Sequence, residues 1–156
     1  MSDGDPISLR DEIHADLAAA GARPRHAWGQ NFMVDRSALN ALLAGIAPGP
    51  GARVLEIGPG TGVLTRRLLA AGAQVCAVEV DPLLAEHLAQ RYDDAAFELV
   101  RGDALRGKTT LHPAIVAFAA AGPWTLGANL PYDIAIPLLL NCLCLPHPPR
   151  RCVVTV

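Results

Sequence analysis

Three glycines at alternate positions, Gly58, Gly60 and Gly62, follow an apolar stretch that ends at Ile57, and an amphipathic segment begins at Val63. Glycine has no Cβ, so a turn with alternate glycines lets a ligand touch the bare backbone between a strand and a helix. The pattern predicts a strand, a ligand-binding turn and a helix in succession. The glycines alone do not identify the ligand, because nicotinamide- and flavin-binding folds use a similar corner.

Segments typical of strands and of helices alternate along the chain. Strands are predicted at residues 53–57, 74–80, 97–100, 124–128 and 151–156. Helices are predicted at residues 8–20, 35–46, 63–71, 112–121 and 134–145, with one more starting at Asp81. The strand at 74–80 is too apolar for an exposed edge, as expected of a parallel sheet covered on both faces. The alternation predicts an α/β fold, a doubly wound parallel sheet.

Two segments carry further predictions. Residues 108–110 are predicted to form a polar loop. The helix at 134–145 is predicted to be buried, because the apolar run is too short to span a membrane and contains Pro137 and Asn141.

Composition limits the classes of function. The chain has 156 residues, of which 51% are hydrophobic, and this is enough for one folded domain. Its formal net charge of -2 gives no global attraction to nucleic acid, so any such contact has to be local. The cysteines form no CxxC pair, and those at 76, 142 and 144 lie in apolar runs. We therefore expect reduced thiols in a cytoplasmic protein, with no disulfide and no metal site, and the acidic start of the chain does not resemble a signal peptide.

Ligands of parallel α/β sheets bind at the carboxyl ends of the strands. The first strand ends at Glu56 and the glycines, the second at Glu79 and the third at Asp103. Glu79 follows the first glycine by about twenty residues, where a carboxylate can accept both hydroxyls of a ribose. Its alternative is a surface charge. Asp103 can accept a hydrogen bond from the amino group of an adenine, or it can cap a turn. Together these strand ends predict a pocket for an adenosine.

The fourth strand ends in the sequence Asn-Leu-Pro-Tyr at residues 129–132. The amide oxygen of Asn129 and the backbone carbonyl before or at Pro131 are acceptors that can hold an exocyclic amino group by its two hydrogens. Tyr132 offers a flat face for a base taken out of its stack. The alternative is an ordinary turn, since Asn and Pro favour turns.

These motifs resemble those of a known family. The sequence Glu-Ile-Gly-Pro-Gly-Thr-Gly at residues 56–62 is similar to the first motif of the S-adenosylmethionine-dependent methyltransferases, and residues 129–132 are similar to their amino-methylating motif. Gly-Gln-Asn-Phe-Met at residues 29–33 resembles the segment ahead of the core in the ribosomal RNA adenine dimethyltransferases. That family includes the bacterial small-subunit dimethyladenosine transferases and the erythromycin-resistance methylases. The resemblance extends from about residue 23 to the C-terminus.

The resemblance implies a role for each matching residue. The positions implied to bind S-adenosylmethionine are Asn31, Met33, Gly58, Gly60, Glu79, Asp103 and Asn129. Those implied to be catalytic are Asn129, Pro131 and Tyr132. Glu79 would hold the ribose of the cofactor and Asp103 its adenine. Asn129 and the Pro131 carbonyl would hold the target amino group, and Tyr132 would stack on the target base. No metal is implied.

The resemblance implies a Rossmann-like methyltransferase fold and N6,N6-dimethylation of adenine in small-subunit ribosomal RNA. The partner would be the immature small ribosomal subunit, the location the cytoplasm without membrane attachment, and the full-length protein a monomer. A helical extension at residues 1–23 would precede a catalytic domain at 24–156. The family continues with further strands and an RNA-docking helical domain, so we expect this chain to be an amino-terminal part whose fold is incomplete at the C-terminus.

Alternatives to this function stay open. A resistance-type methylase of the large subunit shares the motifs, and a non-catalytic RNA-binding or assembly factor would fit a shortened chain. A nicotinamide-dependent oxidoreductase shares the glycine corner but favours the spacing GxGxxG and leaves the turn at 129–132 unexplained. His26, Trp28 and Asp133 depart from the residues usual in the family, Lys, Leu and Asn.

Overall fold

The computed structural model describes residues 8–23 and 32–156. Asn31, His26 and Trp28 lie outside the described residues. The helices are α1 (Leu9–Ala19), α2 (Arg36–Ile46), α3 (Val63–Ala70), α4 (Pro82–Arg91), α5 (Pro113–Ala120) and α6 (Tyr132–Leu143). The strands are β1 (Arg53–Ile57), β2 (Gln74–Glu79), β3 (Phe97–Arg101), β4 (Leu105–Arg106), β5 (Thr110–Leu111), β6 (Thr125–Asn129) and β7 (Arg151–Thr155).

Five of the strands form one sheet in the order β3-β2-β1-β6-β7, and every neighbouring pair is parallel. The chain winds outward from β1 to β3, then crosses back and continues from β6 to β7. The order of winding therefore reverses between β1 and β6, and a crevice opens there at the carboxyl ends of the strands. This architecture confirms the predicted doubly wound parallel sheet.

Each face of the sheet carries its own apolar core. The first core joins α1, α2, α3 and α4 to the sheet, and its fully buried side chains include Leu39, Leu68, Val75 and Leu84. The second core joins α5, α6 and the β4–β5 hairpin to the opposite face, and its fully buried side chains include Leu55, Ile115, Trp124 and Leu138. Helices on both faces explain why β1 and β2 are apolar on both sides.

Side chains at the predicted helix starts cap the free backbone N–H groups. The Ser8 hydroxyl accepts from the N–H of Asp11 at 3.1 Å. The Asp35 carboxylate accepts a hydrogen bond from the N–H of Ser37 at 2.7 Å. The Asp81 carboxylate accepts one from the N–H of Leu83 at 2.9 Å. Such caps satisfy donors that the helix itself leaves unpaired. The starts of α1, α2 and α4 are confirmed.

The structure corrects two element predictions. The segment 108–110 is not wholly a loop, because β4 and β5 pair as an antiparallel hairpin. Strands of two residues are too short to show alternation in the sequence. The predicted buried helix is α6, which begins at Tyr132 and ends at Leu143. It buries one face only, while Ile136 on its other face is 69% exposed. Cys144, which follows the helix, is exposed although its apolar neighbours favoured a buried thiol.

Within the described segments, no helix combines the length and the apolar character that crossing a membrane would require.

Candidate active site

A cleft of about 970 Å³ lies at the carboxyl ends of β1, β2 and β6. Predicted site residues that line it are Met33, Gly58, Gly60, Glu79, Asp103, Asn129 and Pro131. Tyr132 is not among the lining residues. As the first residue of α6 it is 77% exposed, which leaves its ring accessible to a base.

The glycine turn presents bare backbone to this cleft. Gly58 has a φ of 64°, and a Cβ placed there would meet no atom within 4 Å. Gly60 has a φ of 61°, and a Cβ there would lie 3.0 Å from the ring of Phe32. A side chain at either position would therefore be strained, and at Gly58 it would extend into open space beside the cleft. Phe32 packs against the turn, a contact that the sequence did not predict.

Glu79, at the end of β2, stabilises the glycine turn through hydrogen bonds. Its Oε2 accepts a hydrogen bond from the N–H of Gly60 at 2.9 Å, and its Oε1 accepts one from the N–H of Asp81 at 2.9 Å. The side chain is almost fully buried. Burial raises the pKa of this carboxyl above its ordinary value, while the two backbone hydrogen bonds lower it. A carboxylate has about four acceptor sites, so two bonds leave capacity for ribose hydroxyls.

Glu56 forms part of the cleft wall at the end of β1. Its Oε2 accepts a hydrogen bond from the Thr65 hydroxyl at 2.7 Å. Burial, with a smaller contribution from the charge of Glu79, raises the pKa of Glu56 to about 8, although the Thr65 bond opposes this. Its environment in the cleft therefore favours the protonated form of this carboxyl group. No motif of the sequence predicts this role for Thr65.

Asp103 caps a turn, the alternative role considered for it, and also lines the cleft. Its Oδ1 accepts a hydrogen bond from the N–H of Leu105 at 3.0 Å, so it caps the turn into the hairpin. The residue also lines the cleft and is exposed. The turn holds the carboxylate at the rim next to the end of β3.

Asn129 and the turn after it form the opposite wall. The Asn129 Oδ1 accepts a hydrogen bond from the Thr155 hydroxyl at 2.7 Å. The carbonyl of Pro131, the N-cap of α6, accepts from the N–H of Ala135 at 3.1 Å and of Ile134 at 3.3 Å. Helix bonds thus engage the Pro131 carbonyl. The sequence left open whether the carbonyl before Pro131 or that of Pro131 itself would hold the amino group. The carbonyl before it belongs to Leu130, which precedes α6 and lies outside the hydrogen-bond ladder of the helix.

The structure also brings unpredicted residues to the cleft. Apolar side chains that complete its walls include Ile13, Leu39, Leu42, Leu84 and Ile134. Ile13 comes from α1, far from the core motifs in the chain, and its spacing with Leu17 and Ala20 predicts only the apolar face of a helix. Within residues 8–23 and 32–156, no group of three or more His, Cys, Asp or Glu side chains is arranged so that it could hold a metal ion.

Known structures share this fold. The crystal structure of the 23S rRNA methyltransferase ErmE is 30% identical and covers 75% of this chain and 44% of its own, with a TM-score of 0.59. A dimethyladenosine transferase from Plasmodium falciparum, 24% identical, gives a TM-score of 0.62 over 77% of this chain and 41% of its own. The fold and the cleft define a Rossmann-like methyltransferase domain, the class that the sequence predicted.

Sequence comparisons specify the family. The family model for ribosomal RNA adenine dimethylase matches residues 21–156. The ribosomal RNA small subunit methyltransferase A of Nocardia farcinica is 40% identical over 138 residues, which are 85% of this chain and 45% of the relative. The enzyme of the same name from Thermosynechococcus vestitus is 40% identical over 129 residues, 83% of this chain and 45% of the relative.

The chain therefore belongs to the ribosomal RNA adenine dimethylase family. It spans a little under half the length of these curated relatives. The cofactor of this family and fold is S-adenosylmethionine, as the motifs predicted.

Proposed function

We propose that the protein is an S-adenosylmethionine-dependent methyltransferase that dimethylates adenine N6 in small-subunit ribosomal RNA. The observation that carries the proposal is the convergence of the glycine turn, Glu79 and Asn129 on one cleft. The family and the names of the curated relatives support the substrate.

The residues of the cleft fit the cofactor. Glu79 combines a buried carboxylate with acceptor capacity beyond its two backbone bonds, which suits the two hydroxyls of a ribose. Gly58 leaves open the space that a methionine group would occupy. Asp103 at the rim would accept from the adenine amino group, and half-buried Met33 would add apolar contact. Asn31 belongs to the same proposed set.

When bound, S-adenosylmethionine supplies an electrophilic methyl group on a sulfonium. The contribution of the protein is then to orient the adenine nitrogen, whose lone pair is shared with the ring. The amide oxygen of Asn129 and the carbonyl of Leu130 or Pro131 would hold its two hydrogens out of the ring plane and so direct the lone pair at the methyl group. The helix bonds of Pro131 favour Leu130 for this role. Tyr132 would stack on the base.

A binding titration and one variant test the proposal. S-adenosylmethionine should bind the full-length protein and NAD should not, whereas a nicotinamide oxidoreductase would give the reverse. Replacing Asn129 with Ala should reduce methylation of immature small subunits by at least about 100-fold, because positioned polar groups of this kind contribute such factors. Cofactor binding should weaken but stay detectable.

Asn141→Ala is the matched control. Asn141 lies on α6 and donates to the carbonyls of Pro137 and Lys108, away from the cleft. This variant should retain turnover. Wild-type turnover in Asn129→Ala would remove the role given to that residue.

A second candidate is methylation of large-subunit RNA, which the similarity to ErmE favours. Assays with small and with large ribosomal subunits as separate substrates distinguish the two. A non-catalytic RNA-binding or assembly role is the third candidate. That role would give cofactor or RNA binding without methyl transfer to either subunit.

The remaining assignments belong to the same proposal. We infer a cytoplasmic, RNA-binding protein that acts in ribosome biogenesis on immature small subunits and is a monomer when full length. Residues 1–23 would form a helical extension and residues 24–156 the catalytic domain. The family supports this setting.

A further inference from the structure

Thr155 makes two contacts with the turn that holds Asn129. Strands β6 and β7 run parallel, and their register places Asn129 opposite Thr155. The Thr155 hydroxyl donates to the Asn129 Oδ1 at 2.7 Å, and the Thr155 carbonyl accepts from the N–H of Leu130 at 2.8 Å. One residue of the neighbouring strand thus holds both the amide of Asn129 and the backbone that follows it.

The orientation of this amide decides what it can hold. The oxygen of an Asn side chain accepts hydrogen bonds, whereas its nitrogen donates them, and the terminal torsion has two broad minima that exchange the two ends. A target amino group is a donor, so only the oxygen can hold it. The Thr155 hydroxyl distinguishes the two ends. A reversed amide would turn its NH₂ group to that hydroxyl, whose own proton would then need another acceptor.

We propose that Thr155 is a positioning residue for methyl transfer, whose hydroxyl keeps the Asn129 amide oxygen directed at the target amino group. The inference rests on the proposed function. Thr155 is not among the residues that line the cleft, so it acts through Asn129. An amide oxygen has two acceptor sites, so the bond from Thr155 does not by itself block one from the substrate.

Replacing Thr155 with Val tests the inference in the full-length protein. Valine keeps the β-branched shape that suits a strand but has no hydroxyl. The kcat for methylation of small subunits should fall about tenfold, because the hydrogen bond that selects the amide orientation is lost. The Kd for S-adenosylmethionine and the KM for RNA should stay within about twofold. Thr155→Ser, which restores the hydroxyl, should recover most of the lost kcat.

Thr125→Val is the matched control. Thr125 lies at the other end of the same strand pair, opposite Arg151, and the substitution removes a hydroxyl from β6 far from Asn129. It should leave kcat unchanged.

Three results would overturn the inference. These are wild-type kcat in Thr155→Val, a loss that Thr155→Ser does not recover, and a loss matched by weaker cofactor binding. Failure of the proposed function looks different, because the wild-type protein would then not bind S-adenosylmethionine, or Asn129→Ala would keep its turnover.

Discussion

Glu56 is a carboxyl group that folding removes from water, and this links stability to pH. Its pKa rises from an ordinary value of 4.5 to about 8 in the folded protein. Between these values the unfolded chain has released a proton that the folded protein keeps, so the free energy of unfolding falls as pH rises. Below about pH 4.5 both states are protonated and the penalty disappears.

Glu56→Gln should therefore become more stable relative to the wild type as pH increases from about 5 to about 8. The difference in unfolding free energy should grow by about 1.4 kcal/mol per pH unit. Urea unfolding at several pH values measures it. Glutamine keeps an acceptor for the Thr65 hydroxyl, so packing changes little. Parallel pH curves for the two proteins would show that Glu56 titrates normally.

Site residues within one motif could be predicted from the sequence, and those that depend on strand register could not. Glu79 ends β2 and Asp103 follows β3, so their convergence with the glycines is expected from the general geometry of parallel sheets. Thr155 meets Asn129 across 26 residues of sequence, which only the pairing of β6 with β7 determines. Whether the Pro131 carbonyl accepts the first hydrogen bonds of α6 depends on where that helix begins, which the sequence did not locate to the residue.

At the scale of elements, the packing of α4 against the glycine turn predicts the cost of a side chain at Gly62. A Cβ there would lie 2.8 Å from Leu88 Cδ2 and 3.0 Å from the Tyr92 hydroxyl oxygen, and φ is 84°. The Tyr92 hydroxyl also donates to the Gly62 carbonyl at 3.1 Å. Gly62→Ala should cost about 3 kcal/mol from backbone strain and overpacking together. Thermal or urea unfolding measures the loss.

Gly51→Ala separates the two causes. Gly51 has a φ of 76° but no atom within 4 Å of an added Cβ, so only the strain of about 1 kcal/mol applies. Equal losses of unfolding free energy in the two variants would show that α4 adjusts to the added Cβ without a free-energy penalty.

Long, strongly patterned elements were also the ones that sequence could locate. The apolar strand β2 and the capped helix α2 lie within a residue or two of their predicted limits, and α4 begins directly after its predicted cap. The hairpin of β4 and β5 has two residues in each strand, and its pairing depends on Leu105 and Leu111 entering the core beneath α5 and α6. Contacts of that kind leave no periodic signal in the chain.

At the scale of the whole molecule, α1 belongs to the proposed amino-terminal extension and also contributes to the cleft. Leu9, Ile13 and Leu17 pack into the core shared with α2, α3 and α4. Ion pairs also connect α1 to two neighbouring helices. Glu12 pairs with Arg66 of α3, and Asp16 pairs with Arg91 of α4. We therefore expect the extension and the proposed catalytic domain to unfold together in one transition.

Two alanine variants of α1 distinguish support of the fold from a role in the cleft. Leu9 and Ile13 are each 3% exposed, but only Ile13 lines the cleft. Both substitutions should lower the unfolding free energy by a similar amount, about 2–4 kcal/mol. Only Ile13→Ala should weaken S-adenosylmethionine binding, by about fivefold for the loss of one apolar contact. Calorimetric titration of both variants measures this, and equal affinities would show that α1 stabilises the fold without shaping the cofactor site.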